Sequence, residues 1–269
     1  MTVQVTLPDG SIKSFDNAVN GFDIAKSIGS RLAKDAICLE IDNNFYDMNT
    51  IFESDISVRI VTNSDPDALH ILRHSSAHIL AQAVLNLYPD AKYGVGPSID
   101  NGFYYDFLFK EPLKENDLSD IEKEMINITK NAHNFTKSEI TKKDAKKLFK
   151  NQSFKIELIE AAESEEGVLE DVVTMYTNEK FSDLCRGPHI PNTKYLKHFK
   201  LTKLGGAYWR GDDENPQLQR IYGTSWFSNK DLNAYLIQQD EAEKRDHRKI
   251  GNDFNLFTKS NALGCGNFL

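Results

Sequence analysis

The sequence predicts an α+β fold built from two successive domains and a long helix after them. Three observations support this prediction: strand-like and helical runs alternate in the first part of the chain, turn-forming residues interrupt it at Asn63 to Pro66, and a charged helical pattern follows Asn229. A chain of 269 residues is also long for one compact core. We therefore divide it into residues 1–63, 64–226, 227–250 and 251–269.

The first segment has the pattern of a small β-grasp-like domain. Apolar residues alternate with polar ones from Val3 to Leu7, and Pro8 to Gly10 supplies a tight turn before a returning strand. Helical spacing follows from Gly21 to Ile28, and residues 36–41 and 56–61 are strand-like. No group of residues here is typical of catalysis, so we expect a binding or structural module.

The second segment predicts a larger α+β domain. It begins with a strong helix from Asp67 to Leu87, followed by a strand-like run from Gly102 to Phe107 and an amphipathic helix from Leu118 to Lys130. The charged pattern from Asn229 to Lys249 then predicts a long, exposed helix. Such a helix would serve as a connector.

Composition narrows the class of protein. Hydrophobic residues make up 40% and charged residues 27% of the chain, which excludes disorder on the scale of the whole chain. The N-terminus has no signal-peptide pattern, and no apolar run is long enough to span a membrane. Three scattered cysteines do not form a disulfide framework. We expect a cytoplasmic protein with no membrane partner.

The net charge of −8 has the wrong sign for a protein that holds nucleic acid by bulk electrostatics. We therefore expect no DNA partner, and an RNA partner would need a local basic stretch. The lysine-rich residues 142–150 and 194–203 are candidates, and solvated surface faces are the alternative interpretation.

Two short segments contain the residues best suited to chemistry. His74 and His78 are four residues apart on a predicted helix, so their side chains share one face, about 5 to 6 Å apart at Cβ. Much later in the chain, Cys185 and His189 flank Gly187-Pro188, which predicts a turn that points both side chains inward. Together the segments indicate a functional pocket.

The residue types leave three chemistries open. Three imidazoles and a thiol match the ligands of a tetrahedral zinc site. They equally match a metal-free hydrolytic site in which imidazole accepts a proton from water. A third possibility is a nucleophilic Cys185 with a neighbouring histidine as its base. The alternative to all three is that His74 and His78 belong to a polar stripe on a helix and have no chemical role.

Further motifs give the chain a family resemblance. Six segments resemble those of bacterial-type threonyl-tRNA synthetases in order and spacing, and the resemblance covers essentially the whole chain. They are H-S-S-A-H at residues 74–78, N-G-F-Y-Y-D at 101–106, D-L-C-R-G-P-H at 183–189, G-A-Y-W-R-G-D at 206–212, L-Q-R-I-Y-G-T at 218–224 and R-D-H-R-K-I-G at 245–251.

By that resemblance, residues 1–63 form a TGS domain and residues 64–226 an editing domain related to those of alanyl-tRNA synthetases. Residues 227–250 become the linker helix that leads to a class II aminoacylation domain, which residues 251–269 begin. The implied activity is proofreading: hydrolysis of serine mischarged onto the acceptor end of tRNA(Thr). The alternative is a non-catalytic tRNA-binding or zinc-binding module.

The physics of substrate selection explains why this family needs a second site. Serine differs from threonine by one missing methyl group, which is worth only about 1 to 3 kcal/mol of discrimination. A smaller pocket that admits serine and excludes threonine corrects the resulting errors by hydrolysis.

The resemblance also implies roles for named residues. His74 and His78 would orient or deprotonate the attacking water, and Cys185 and His189 would complete the pocket. Asp183 would hold the substrate ammonium or fix a histidine tautomer.

A family lysine matches Lys155, whose cation would stabilise the developing oxyanion or the tRNA backbone. As substrate contacts we name Tyr104, Arg186, Trp209 and Arg210.

We expect editing to require no metal, since threonyl-type editing domains are generally described as working without one, whereas alanyl-type domains carry zinc. If zinc binds, its ligands are His74, His78, Cys185 and His189.

ATP and a further zinc ion belong to the class II domain, through which the parent enzyme is expected to form a homodimer. The chain has neither the class II motif arginines in their usual context nor a glycine-rich motif 3. We therefore expect it not to activate threonine.

Overall fold

The computed structural model describes residues 2–164, 171–246, 250–251, 257–260 and 264–268. Its helices and strands confirm the α+β class. The chain forms two compact units, Met1–Phe227 and Ser228–Leu269. None of the described helices is long and apolar enough to cross a membrane.

Short strands and two helices make up the first part of unit 1. They are β1 (Val3–Thr6), β2 (Ile12–Phe15), β3 (Val19–Asn20), α1 (Gly21–Ile28), α2 (Ser30–Asp35), β4 (Ala36–Ile41), β5 (Asn44–Asp47), β6 (Ile51–Phe52), β7 (Ile56–Ser57) and β8 (Arg59–Thr62).

The predicted hairpin, helix and returning strands are all present. β1 and β2 pair antiparallel around a turn in which Gly10 has a φ of +81°, a conformation that favours glycine. β7 pairs parallel with β1, and β4 lies between β5 and β8. The predicted strand at residues 56–61 is divided into β7 and β8 at Val58, a buried residue whose N–H donates to the Thr6 carbonyl at 3.0 Å.

The second part of unit 1 combines longer strands with four helices. They are α3 (Pro66–Leu87), β9 (Lys92–Tyr93), β10 (Ser98–Ile99), β11 (Gly102–Leu108), α4 (Asp117–Lys130), β12 (Phe135–Thr141), α5 (Lys142–Leu148), α6 (Ser153–Ser164), β13 (Val172–Asn178), β14 (Phe181–Leu184), β15 (His198–Tyr208) and β16 (Gln217–Trp226).

Helix α3 is the central element of this part. Pro66 occupies its first turn, where a missing N–H costs nothing, and the helix ends before Pro89, which cannot continue it. From Ala68 to Val84 most of its side chains are buried, because α4, β11 and β16 pack around it. A helix covered on most sides can hold polar residues such as His78 away from water.

Two antiparallel sheets lie beside α3. One has the strand order β10-β11-β16-β15, with β9 also paired to β11. The other has the order β12-β13-β14, and it places Tyr176 directly opposite Asp183.

One hydrophobic core crosses the sequence break at residues 63–66. Ile37, Cys38 and Val61, from the first part, are buried together with Ile71 and Leu72 of α3. A smaller core belongs to the first part alone and is centred on Val3, Val5, Ile24, Ala25 and Leu39.

The unit Ser228–Leu269 begins with α7 (Asn229–Lys244), capped by the Ser228 side chain, which accepts from the Asp231 N–H. Within α7 only Leu232 is buried, as expected for an exposed helix. Two further strands, β17 (Phe257–Ser260) and β18 (Gly264–Phe268), pair antiparallel. The predicted motif at 245–251 and the predicted start of a class II domain at 251–269 fall partly outside the described residues.

Candidate functional site

Helix α3 presents two histidines to one cavity. His74 and His78 lie one helical turn apart, and their ring centroids are 5.0 Å from each other. His78 is 3% exposed and His74 is half-buried, and both side chains line one cavity. The predicted shared face is therefore present.

The segment after β14 brings Cys185 and His189 to the same place. Gly187 has a φ of +71°, and a Cβ at this position would lie 2.0 Å from Tyr176 Oη, so only glycine fits the turn. The turn returns His189 to Cys185, with Sγ and Nε2 3.3 Å apart. Cys185 Sγ also lies 2.8 Å from His74 Nε2.

The structure thus brings together the four predicted residues. One donor atom from each of His74, His78, Cys185 and His189 lies within 4.8 Å of the other three. A cavity of about 640 Å³ opens above them, and its wall includes His74, His78 and Cys185. His189 is 1% exposed and lies behind this wall.

Hydrogen bonds around Ser75 fix the tautomer of His189. Ser75 Oγ donates its hydrogen to the Ile71 carbonyl at 2.8 Å and accepts from the Ile190 N–H at 3.0 Å. Its 3.0 Å contact with His189 Nδ1 therefore has the ring as donor. His189 carries its hydrogen on Nδ1, and the Nε2 lone pair points at Cys185.

The thiol of Cys185 lies between two ring nitrogens. His74 Nε2 lies 2.8 Å from the sulfur, and His189 Nε2 lies 3.3 Å from it. A thiol has one hydrogen and can serve only one of the two rings. The other imidazole keeps a lone pair available for a proton.

Burial keeps all four groups neutral near pH 7. It lowers the pKa of His74 to about 4 and the pKa values of His78 and His189 well below 6.5. Burial likewise raises the pKa of Cys185 to about 12. Neutral imidazoles favour proton acceptance, and a protonated thiol disfavours the alternative of a cysteine nucleophile.

A buried charged pair forms another wall of the cavity. Lys155, in the first turn of α6, forms an ion pair with Asp183 at the end of β14. Asp183 Oδ2 also accepts from the Tyr105 hydroxyl, which in turn lies 3.1 Å from Lys155 Nζ. His78 Nε2 is 3.9 Å from Asp183, too far for a direct hydrogen bond.

The sequence analysis did not identify Tyr105 as a site residue and named its neighbour Tyr104 as a substrate contact instead. Strand side chains alternate between faces, and β11 buries Phe103, Tyr105 and Phe107. Tyr104 points to the opposite face, where the Arg220 guanidinium lies 3.7 Å from its ring centroid. The prediction that Tyr104 lines the pocket is therefore wrong, and Tyr105 is the residue of β11 that contacts Asp183.

The remaining predicted substrate contacts are divided. Arg186 is exposed and lines the cavity. Trp209 does not line it: the indole is buried against Phe154 and donates to Glu157 at 2.8 Å. Arg210 pairs with the same Glu157, away from the cavity. Trp209 and Arg210 connect α6 to the end of β15 through Glu157. Their contacts are therefore structural ones, outside the cavity.

The lysine-rich stretches also lie outside the cavity wall. Lys147 pairs with Asp144 on the same helix, and Lys200 pairs with Glu122 of α4. The first pair is exposed, the second is half-buried at Glu122, and both offset part of the local positive charge.

The four donors fit zinc in type and number. Zinc sites use imidazole and thiolate ligands. The ring nitrogen of the imidazole that does not bind the metal usually donates to a nearby oxygen. The Nδ1 of His189 donates to Ser75 Oγ in this way. The same atoms also suit water activation by a neutral imidazole.

Two family models match the chain. Residues 3–62 match the TGS domain, and residues 173–222 match the threonyl and alanyl tRNA synthetase second additional domain. The second match includes Asp183, Cys185 and His189, whereas the two histidines of α3 lie before it.

Relatives extend the similarity over almost the whole chain. The threonine–tRNA ligases of Francisella philomiragia subsp. philomiragia and Francisella tularensis subsp. novicida are each 48% identical over 257 residues. The match covers 95% of this chain and 40% of each relative, so the chain spans less than half the length of the relatives it matches.

Proposed function

We propose that the chain is the part of a threonine–tRNA ligase that carries the TGS and second additional domains, and that it proofreads by hydrolysing serine from mischarged tRNA(Thr). The observation that carries this proposal is the convergence of His74, His78, Cys185 and His189 at a cavity of about 640 Å³.

The proposed reaction is hydrolysis of an ester. Water attacks the seryl carbonyl carbon, the bond from that carbon to the ribose oxygen breaks, and serine and free tRNA are released. An imidazole must accept the proton of the attacking water, and the leaving ribose oxygen must receive one. His74 and His78 line the cavity wall, and because burial keeps both rings neutral each has a lone pair that can accept that proton.

Charged residues of the wall are proposed to orient the substrate. Asp183 presents a carboxylate that can pair with the ammonium of the seryl group. Lys155 holds this carboxylate and adds positive potential near the carbonyl oxygen, where negative charge develops. Both side chains line the cavity, and their burial strengthens such interactions.

We propose that hydrolysis requires no metal ion. The imidazoles are neutral and already placed against a thiol, so a proton acceptor is available from the chain itself. Zinc is the alternative: His74, His78, Cys185 and His189 would hold it, and it would polarise a water molecule.

The proposed partner is the acceptor end of tRNA(Thr) that carries serine, in the cytoplasm. We further propose that a longer protein containing this region attaches threonine to tRNA with ATP and forms a homodimer through its class II domain. These activities belong to the whole protein and not to the cavity described above.

The test is deacylation of two substrates by the chain. Ser-tRNA(Thr) and Thr-tRNA(Thr) are incubated with protein, and the remaining aminoacyl-tRNA is measured over time. Rapid loss of serine with threonine spared is the expected result. Release of neither amino acid, with tRNA still bound, would instead support the alternative of a non-catalytic tRNA-binding module.

A further inference from the structure

Asp47, in the first part of the chain, has a carboxylate that contacts residues of the site. Asp47, the last residue of β5, lies beside the segment that carries Cys185 and His189. Its Oδ1 accepts from the His189 backbone N–H at 2.9 Å, and its Oδ2 accepts from the Tyr176 hydroxyl at 2.5 Å. The two contacts span 142 and 129 residues of sequence.

These two bonds hold both ends of the tight turn. Tyr176 Oη lies against Gly187, where a Cβ would approach it to 2.0 Å, and the Tyr176 ring also contacts the His189 ring, with centroids 4.5 Å apart. Asp47 therefore fixes His189 directly through its backbone and indirectly through Tyr176. An N–H that donates to a carboxylate makes a stronger bond than one that donates to a neutral oxygen.

The same strand contributes to the cavity itself. Phe45, two residues before Asp47, is 36% exposed and forms part of the cavity wall. Side chains two apart on a strand lie on one face, so β5 turns this face toward the site. The first part of the chain thus contributes Phe45 to the cavity wall and contacts His189 and Tyr176 through Asp47.

We propose that Asp47 is a positioning residue for hydrolysis, through which the TGS domain completes the editing site. This inference rests on the proposed function. Asp47 is not part of the cavity wall: it sets the distance between His189 Nε2 and Cys185 Sγ, and through the thiol it sets the position of His74. A displacement of about 1 Å in such a group can cost on the order of 100-fold in rate.

The experiment compares four variants of the full chain. Asp47→Ala removes both acceptors. Asp47→Asn keeps an oxygen for the His189 N–H, and Tyr176→Phe removes the second bond while leaving the carboxylate. Asp16→Ala, an exposed aspartate of the same domain, is the matched control. For each, kcat and KM for Ser-tRNA(Thr) are measured separately, with amide hydrogen exchange at His189 followed by NMR.

Asp47→Ala is expected to lower kcat by about 10- to 100-fold with little change in KM, and to accelerate exchange at the His189 amide. Asp47→Asn is expected to retain most of kcat, and Asp16→Ala all of it. Wild-type kcat in Asp47→Ala would overturn the inference, as would an equal loss in both aspartate-to-alanine variants.

Two further readouts keep the test decisive. If Asp47→Ala does not fold, Tyr176→Phe takes its place: a several-fold loss of kcat supports the inference, and an unchanged kcat overturns it. If the wild-type chain releases no serine, the proposed function fails. Exchange at His189 then still reports whether Asp47 holds the turn.

Discussion

Lys155 and Asp183 form an ion pair whose side chains are 2% and 3% exposed. The pair links α6 to the end of β14 and forms one wall of the cavity. Removal of one partner leaves the other charge buried without compensation, which is costlier than loss of an exposed ion pair.

Lys155→Ala is expected to lower the free energy of unfolding by about 3 to 5 kcal/mol, because it strands the Asp183 carboxylate in the interior. Urea denaturation followed by circular dichroism measures this. Lys110→Ala is the control, since Lys110 and Asp90 are 78% and 73% exposed and such pairs contribute about 0 to 1 kcal/mol. Equal losses in the free energy of unfolding would show that the buried ion pair contributes no more to stability than the exposed one.

Replacement of both His74 and His78 by alanine is expected to lower kcat for deacylation by about 100- to 10,000-fold, the range for loss of general base catalysis. Affinity for tRNA should change little, because both side chains are largely buried and offer little surface to a bound tRNA. Single-turnover deacylation and filter binding measure the two quantities. His198→Ala, on β15, serves as control; a parallel loss of tRNA binding in the double variant would assign the histidines a structural role.

Tyr105→Phe and Tyr104→Phe form a matched pair on one strand. Loss of the Tyr105 hydroxyl removes the hydrogen bonds to Asp183 and Lys155, and we expect a cost of about 1 to 3 kcal/mol in stability together with slower deacylation. Tyr104→Phe keeps its ring over Arg220 and should change stability by less than about 0.5 kcal/mol. Thermal melting and kcat measure both; the reverse order of effects would contradict the assigned faces.

The lowered histidine pKa values predict acid sensitivity in metal-free protein. The unfolded chain binds protons on these histidines near pH 6.5, whereas folded His74 binds one only near pH 4. The unfolded state therefore holds more protons between these values, and the free energy of unfolding should fall as pH decreases from about 6.5 to about 4.

Urea denaturation at several pH values measures this slope. His74→Gln removes one of the titrating groups and should make the slope shallower. A wild-type slope in the variant would mean that His74 is not held neutral by the fold.

Chelator treatment tests the proposal that hydrolysis needs no metal. After dialysis against a chelator, with zinc content checked by mass spectrometry, kcat for Ser-tRNA(Thr) should remain at its starting value. Cys185→Ser, which replaces a good zinc ligand with a poor one, serves for comparison. Loss of activity on chelation, restored by added zinc, would sink the proposal.

His74, His78, Cys185 and His189 were predicted from local signals, whereas Lys155 was named through the family resemblance. The i, i+4 spacing of His74 and His78 and the turn at Gly187-Pro188 are properties of a few neighbouring residues, and helix and turn geometry fix where they point. The hairpin of β1 and β2 was predicted for the same reason.

Other parts of the site have no local signal. Tyr104 and Tyr105 are both aromatic, so the strand at Gly102–Leu108 has an aromatic residue on either face, and only the packed structure shows that Tyr105 is the one that contacts Asp183. Asp47 meets His189 across 142 residues, a contact that depends on how two domains pack. The displacement of Trp209 and Arg210 from the cavity likewise follows from their contact with Glu157 on α6.

The core that joins Ile37, Cys38 and Val61 to α3 has a consequence for how such chains change over time. Val61 and Leu72 belong to this one core, and Leu72 lies two residues before His74 on α3. The packing of the first domain is therefore coupled to the helix that carries the histidines. We expect an exchange of this domain between distant relatives to require exchange of the matching face of α3 as well.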